Sequence, residues 1–371
     1  MSAAADDRAE NLRLIRDSAA AIVPAGGDLK RIRALRFTEA GFDRAVWAEM
    51  GALGWPGLLV PESLGGSGLG MAEFCAVAEA LGAGLAPEPL IGCGVVAPVL
   101  PDDLREAVMA GARVVLPAWQ ERANMLPLSG RGDGSAISLG ATPHPGPLPQ
   151  GERETTFTTR NLFIEMAGGA DGFLVANGAD LVVIDRHAQG VRLATERTQD
   201  GGHFGTLTLD AAHGTAVAGD FALAMERATL ATAAYLLGVM DRAFTMTLDY
   251  LRTRQQFGRA IGTFQSLQHR AADLKMQVAL TRASVESAAV TMDTATSLPL
   301  IQAAVSRAKA RAAEASLLVT RQAIQLHGGI GYTDEADIGL FLRRAMVLAN
   351  LYGSAALHRA RFMAVAPEQD D

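Results

Sequence analysis

Residues 172–194, "GFLVANGADLVVIDRHAQGVRLA", decide the fold class, because they are the clearest β sequence in an otherwise helical chain. Short runs of β-branched and large apolar residues alternate there with Gly, Asn and Asp, as in strands joined by tight turns. The whole stretch from about 115 to 218 shares this texture. It therefore predicts a small antiparallel β domain in the middle of the chain.

Helical sequence flanks this β region on both sides. The N-terminal part is rich in Ala and Leu and is interrupted at 54–70, "GWPGLLVPESLGGSGLG", where prolines and glycines exclude a continuous helix. Beyond 219 the sequence returns to long helical segments, predicted at 221–254, 264–292, 299–326 and 334–364. The fold class predicted is α+β and mostly α. The predicted domains are an N-terminal helical domain (1–114), a middle β domain (115–218) and a C-terminal four-helix bundle (219–371).

One segment of the β region has neither the strand pattern nor the helix pattern. Residues 141–156, "ATPHPGPLPQGERETT", contain four prolines within seven residues and no apolar period. We interpret the segment as a solvated insertion at a surface hairpin, since lengthening a loop costs little once its ends are held. A proline-rich docking ligand is the alternative interpretation.

Composition excludes several classes of function. The 371-residue chain has a net charge of −7, which argues against a general nucleic-acid binder. It lacks both a signal-peptide pattern and the roughly 18 uninterrupted apolar residues of a membrane span, so we expect a cytoplasmic protein with no membrane partner. Cys75 and Cys93 have no CxxC spacing and are predicted to be reduced structural thiols. The seven histidines show no ligand spacing, so no metal site is expected.

Three phrases in a fixed order identify a family. They are "LGWPGLLVPESLGGSGLGMAEFCAVAEALGAGLAPEP" (53–89), "RTRQQFGRAIGTFQSLQHRAADLKMQ" (252–277) and "QAIQLHGGIGYTDEADIGLFLRRA" (322–345). Together they resemble the acyl-CoA dehydrogenases over nearly the whole chain. The resemblance implies an N-terminal helical domain, a middle β domain and a C-terminal four-helix bundle, assembled as a tetramer built from dimers. It also implies FAD as cofactor, an acyl-CoA thioester as substrate and an electron-transfer flavoprotein as acceptor.

The same resemblance assigns cofactor-binding residues. In the family, the RxxFG and QxxGG phrases reach across the dimer to the neighbouring subunit's FAD. A guanidinium can fork onto pyrophosphate oxygens, a phenylalanine can pack on a ring or ribose edge, and glycines let the backbone approach the dinucleotide. The alternative for the first phrase is that its Arg caps a helix and its Phe fills core. The matching residues in this sequence are Arg254, Gln256, Phe257, Gln325, Gly328 and Gly329.

The catalytic base of the family is not found at either of its usual places. Tyr352 stands where the glutamate is expected in "NLYGSAALHR" (350–359), and a phenol with a pKa near 10 does not replace a carboxylate at neutral pH. Some relatives carry the glutamate on the first bundle helix, and that register falls on Ala228. Glu226 lies about 200° away around the helix and is interpreted as a first-turn acid. A relocated base at Glu226 is the alternative.

The residues that the family places around a chain's own flavin also differ. Phe163, Ile164 and Glu165 align with a Trp-Ile-Thr phrase, which puts an acid where a hydroxyl is expected beside the flavin. Arg344 aligns with an aspartate, and the sequence assigns it no role. Negative charge at Glu165 would oppose hydride transfer to flavin.

The retained and lost residues differ in which subunit's flavin they would serve. Residues presented to the neighbour are kept, whereas those facing the chain's own flavin and substrate are replaced. We hypothesise a non-catalytic subunit that completes the FAD site of a different, catalytic chain in an α2β2 complex. The first alternative is a homotetrameric dehydrogenase with a relocated base, and the second is a flavin-free structural or acyl-CoA-binding relative.

Overall fold

The structure, a computed structural model, describes residues 3–20, 22–23, 29–119, 154–177 and 180–366. In these ranges six helices come before the sheet: α1 (Ala3–Ala19), α2 (Lys30–Leu35), α3 (Arg44–Ala52), α4 (Met71–Ala83), α5 (Leu90–Val96) and α6 (Asp102–Met109). The predicted break at 54–70 is confirmed, since only two single 3-10 turns interrupt that loop. Cys75 and Cys93 are both free and buried, as predicted.

The described residues in the middle of the chain form one six-stranded sheet. Its strands are β1 (Val115–Ala118), β2 (Glu154–Glu165), β3 (Gly172–Asn177), β4 (Asp180–Asp185), β5 (Val191–Arg197) and β6 (His203–Val217). The order is β1-β3-β4-β6-β2, and β5 also pairs with β6. The predicted antiparallel pairing holds for every pair of this sheet except one, because β1 runs parallel to β3. All four residues of β1 are buried, which is typical of a strand covered on both faces.

The proline-rich segment can be compared with the structure only at its end. Residues 141–153 lie outside the described residues, so the predicted excursion stays a prediction there. Residues 154–156 begin β2 and pair with β6, so they are strand rather than part of the excursion. The domain boundaries at 115 and 219 also stay predictions, although a strand begins at Val115 and a helix at Phe221.

Five helices follow the sheet in the described chain: α7 (Phe221–Thr253), α8 (Gln265–Thr294), α9 (Leu298–His327), α10 (Ile338–Leu348) and α11 (Ala355–Val365). Three of the predicted bundle helices are confirmed, but the single helix predicted at 334–364 is wrong. The chain turns between α10 and α11, where Tyr352 and Gly353 have φ of 57° and 113°. Ser354 then starts α11 by accepting a hydrogen bond from the backbone N–H of Leu357 at 3.2 Å.

Helices α4 and α7 approach closely through two glycines. A Cβ built on Gly82 would lie 2.0 Å from the carbonyl oxygen of Tyr235, and one on Gly238 would lie 1.9 Å from that of Glu79. This contact joins the N-terminal helices to the bundle and allows the Tyr235 hydroxyl to donate to the carbonyl of Ala86 at 3.0 Å. In the described part of the chain, no helix is long and apolar enough to cross a bilayer.

Candidate functional site

All six predicted cofactor-binding residues lie exposed at the end of the bundle where α7 and α9 terminate. We call residues 254–259 and 325–329 the outer edge. The first half is a two-stranded hairpin, β7 (Gln255–Gln256) and β8 (Arg259–Ala260). Phe257 and Gly258 form its two-residue turn with φ of 52° and 78°, the pattern of a type I′ turn. This turn projects the Phe257 side chain, which is 89% exposed, into solvent.

Ring contacts anchor the hairpin to the protein. The Phe257 and Phe264 rings pack edge-to-face with their centroids 6.0 Å apart, and the Arg259 guanidinium lies 4.2 Å from the Phe264 ring centroid. Arg254 ends α7 with its backbone N–H donating to the carbonyl of Tyr250 at 2.9 Å. Its side chain is exposed, so the guanidinium is available to an external anion.

The second half of the outer edge has room for a ligand. Gly328 ends α9 with φ 67° and ψ −145°, a conformation that favours glycine. Gly329 has an ordinary φ, and a Cβ built on either glycine meets no atom within 4 Å. The two halves adjoin because the Tyr250 ring stacks on the His327 ring, with centroids 4.5 Å apart.

A second candidate site lies between the N-terminal helices, the sheet and the bundle, and we call it the inner cleft. It is a cavity of about 30 Å³, room for two or three water molecules. Thr232 and Tyr235 of α7, Glu165 of β2, Arg344 of α10 and Tyr352 line it. The hydroxyl oxygen of Thr232 is buried there without a hydrogen-bond partner.

Arg344 fills much of the inner cleft as the centre of an ion network. Its guanidinium lies 2.7 Å from the Glu165 carboxylate and 2.9 Å from the Asp200 carboxylate. It also lies 5.1 Å from the centroid of the Tyr235 ring. The residue is 7% exposed, and despite its burial these acids raise its pKa well above the ordinary value. The sequence assigned Arg344 no role, and the structure shows it neutralising Glu165.

Tyr352, at the position where the family's base is expected, contributes a ring rather than a base. Its ring centroid lies 5.4 Å from that of Trp119 across the cleft. Burial, and secondly the Glu165 carboxylate, raise the pKa of the Tyr352 phenol. The hydroxyl therefore stays protonated at neutral pH and cannot take a proton from a substrate carbon.

Glu226, the alternative base, faces away from the inner cleft. Both of its carboxylate oxygens accept from the Arg361 guanidinium of α11, at 2.5 and 2.9 Å. The interpretation as a first-turn acid is wrong, because Glu226 lies in the second turn of α7, where it is 4% exposed. Burial raises the pKa of Glu226, and Arg361 opposes that rise. Ala228, at the alternative register, is fully buried.

Sequence reasoning missed a buried lysine beside the inner cleft. Lys309 of α9 is fully buried, and its ammonium donates to the carbonyls of Ala349 and Gly353 at 2.9 and 3.1 Å. It thereby holds the loop that carries Tyr352. The available signal was its place on the apolar face of the helix, four residues after the buried Val305. Within the described ranges, no group of His, Cys, Asp and Glu side chains is placed to hold a metal ion.

Comparisons with known proteins agree with this architecture. The family models for the N-terminal and C-terminal domains of acyl-CoA dehydrogenase match residues 9–100 and 212–366. The acyl-CoA dehydrogenase IpdE2 of Mycolicibacterium smegmatis is 30% identical over 93% of this chain and 95% of its own length. The chain belongs to the acyl-CoA dehydrogenase family. Members of this family are FAD-dependent oxidoreductases that act on the CH–CH bond of acyl-CoA thioesters.

Two solved structures are similar over almost their full length. A chain from a variant of the Tcur3481-Tcur3483 steroid ACAD is 27% identical with a TM-score of 0.81, covering 96% of this chain and 98% of its own. A chain of the ChsE4-ChsE5 complex from Mycobacterium tuberculosis is 26% identical with a TM-score of 0.78, covering 99% of both. This acyl-CoA dehydrogenase fold confirms the predicted fold class.

The family cofactor fits the two sites differently. The outer edge offers an exposed guanidinium, a projecting ring and open glycine backbone, which are the donors and space that a dinucleotide needs. The inner cleft does not fit a flavin ring, because Glu165, Arg344 and Tyr352 leave space for water molecules alone.

Proposed function

We propose that this chain is a non-catalytic acyl-CoA dehydrogenase subunit whose outer edge completes the FAD site of a catalytic partner in an α2β2 complex. The observation that carries the proposal is the asymmetry between the two sites. The six predicted cofactor-binding residues of the outer edge are exposed, whereas an ion network closes the inner cleft. Among the described residues that line the cleft, no carboxylate is free to act as base.

The outer edge is suited to a ligand supplied by another chain. An Arg254 guanidinium held at a helix end can form a bidentate contact with a pyrophosphate. Phe257 is held in a left-handed conformation that bulky residues rarely adopt, and such strain concentrates at functional sites. Most of the Phe257 side chain stays exposed in the folded chain, so its ring is free to pack on a partner's flavin dinucleotide.

The relatives support both the pairing and a substrate class. The ChsE4-ChsE5 structure is a complex of two proteins, and the Tcur3481-Tcur3483 structure is called a steroid ACAD. We propose by analogy that the complex desaturates a steroid-derived acyl-CoA. Because this chain's inner cleft is closed, the partner provides the base and the substrate cavity.

The test is the flavin content of the chain, alone and after co-expression with the acyl-CoA dehydrogenase encoded nearest to it. We expect the lone chain to be colourless and the complex to carry about one FAD per heterodimer. In the complex, Arg254→Ala should lower FAD content strongly. Arg252→Ala is the matched control, because Arg252 is an exposed arginine of the same helix end that pairs with Asp249.

Two results would each support a different function. A lone chain that is yellow and is bleached by an acyl-CoA would make it a homotetrameric dehydrogenase with a relocated base, and Glu226→Gln would then be the next variant. A complex whose FAD content is unchanged by Arg254→Ala would make the chain a structural or acyl-CoA-binding relative. Either result refutes the proposal.

A further inference from the structure

The two halves of the outer edge belong to different helices and meet through one pair of rings. Tyr250 lies one turn before Arg254 on α7, and His327 directly precedes Gly328 at the end of α9. Their ring centroids are 4.5 Å apart, and the ring planes are inclined by 22°. This is a stacked arrangement, the favourable geometry for two aromatic rings.

The His327 ring is fixed by its other contacts. Its Nδ1 lies 2.7 Å from the carbonyl oxygen of Ala323, where an N–H donates, and the residue is 8% exposed. Burial lowers the pKa of His327, so the ring is neutral at neutral pH. The chain neighbours of the two rings, Leu251 and Leu326, belong to one apolar cluster. The imidazole is therefore a rigid surface against which Tyr250 is placed.

A rigid dinucleotide held by both halves requires a fixed distance between them. Misplacing a binding group by about 1 Å is enough to lose most of its contribution. From the stack we infer that Tyr250 and His327 are positioning residues, which set the spacing between Arg254 and the Gly328–Gly329 backbone for a partner's flavin dinucleotide. The inference rests on the proposed function and adds two residues that do not themselves reach the ligand.

The experiment measures the affinity of the apo-complex for FAD by titration, following flavin fluorescence. Tyr250→Leu and His327→Leu should each weaken FAD binding on the order of tenfold, because the ring contact that fixes the distance between the two halves of the outer edge is lost. The double variant should lose about as much as one single variant, since both break the same contact. Tyr250→Phe keeps the ring and should stay within about twofold of the wild type.

The control for correct folding of each variant is the melting temperature of the chain alone and the elution volume of the complex in size-exclusion chromatography. Tyr250→Met, which keeps apolar volume without a flat ring, replaces Tyr250→Leu if the latter does not fold. Wild-type FAD affinity in Tyr250→Leu (or Tyr250→Met) and His327→Leu, with Arg254→Ala still impaired, would overturn the inference and leave the proposed function intact. Independent, additive losses in the double variant would also overturn it. Unchanged affinity in Arg254→Ala would remove the proposed function itself.

Discussion

At the scale of single residues, a substitution at Gly329 should affect FAD binding without affecting the stability of the fold. Its φ is ordinary and a Cβ there meets no atom within 4 Å, so Gly329→Ala should change the free energy of unfolding by less than about 0.5 kcal/mol. In the complex the new methyl group would occupy the space where a dinucleotide approaches the backbone. We expect an unchanged melting temperature and a lower FAD content.

Gly328→Ala is the matched contrast for that variant. Gly328 has φ 67° and ψ −145°, so alanine there is strained and should lower the free energy of unfolding by about 1–3 kcal/mol. It should also lower the FAD content of the complex. Melting curves of the lone chain and FAD content of the complex measure both effects. If Gly329→Ala retains full FAD content, no ligand approaches that backbone.

His358 predicts a particular dependence of stability on pH. Its Nε2 lies 3.0 Å from the carbonyl oxygen of Tyr352, and burial, with the nearby Lys309 charge, lowers its pKa to about 3. The unfolded chain, with a histidine pKa near 6.5, then binds the proton more readily than the folded chain. Stability from this residue is complete above about pH 6.5 and falls as the pH is lowered toward 3.

The change in the free energy of unfolding between pH 6.5 and 5 should be on the order of 2 kcal/mol. Chemical denaturation at several pH values, for the wild type and for His358→Leu, measures it. The difference between the two proteins isolates this histidine from the buried His203 and His327. Parallel stability curves would show that His358 is not held neutral in the folded chain.

At the scale of elements, the hairpin β7–β8 predicts a conflict between stability and binding. Phe257 has φ 52°, which costs a bulky residue about 1–2 kcal/mol. Asn tolerates this conformation and is favoured in type I′ turns, so Phe257→Asn should keep or raise the melting temperature of the lone chain. The same change removes the projecting ring and should weaken FAD binding in the complex. A loss of stability without a loss of FAD would mean that Phe257 serves the fold alone.

The elements also show what sequence could predict. Helices α7, α8 and α9 were predictable within about two residues at their ends. Asp220 caps the start of α7 and Pro299 lies in the first turn of α9, whereas the bounds of α8 followed from the flanking segments "GRAIG" and "TATSLP". The break between α10 and α11 was missed, although Gly353, with φ 113°, is a sequence signal for it; Tyr352, with φ 57°, is a residue type that gives no such signal. The parallel pairing of β1 with β3 joins residues far apart in the chain, and local patterns do not specify such contacts.

At the scale of the whole molecule, the outer edge was predictable and the inner cleft was not. Arg254 and Phe257 belong to one short phrase and Gly328 to another. Their grouping was predictable from the resemblance of both phrases to the family. Glu226 pairs with Arg361, which lies 135 residues away, and Arg344 pairs with Asp200 at a separation of 144. Such long-range ion pairs fix whether a carboxylate is a free base, and only the folded arrangement reveals them.

The Arg344 network joins the sheet, the bundle and the loop before β6, so its removal should affect the stability of the whole molecule. Arg344→Met would leave the Glu165 and Asp200 carboxylates partly buried without their cation, and such changes cost about 3–5 kcal/mol. Replacing both acids in that variant, as Glu165→Gln and Asp200→Asn, should recover part of the loss because no charge is then left unpaired. Denaturant unfolding of the lone chain measures both steps.

Arg343→Met is the control for this prediction. Arg343 is the neighbouring residue and forms an ion pair with Asp334, which is 62% exposed at its side chain, so its removal should cost less than about 1 kcal/mol. The Arg344 effect should also persist at high salt, because buried pairs are screened far less than exposed ones. If Arg344→Met were as mild and as salt-sensitive as Arg343→Met, the inner cleft would be open to solvent. This chain would then not exclude a flavin from its own cleft.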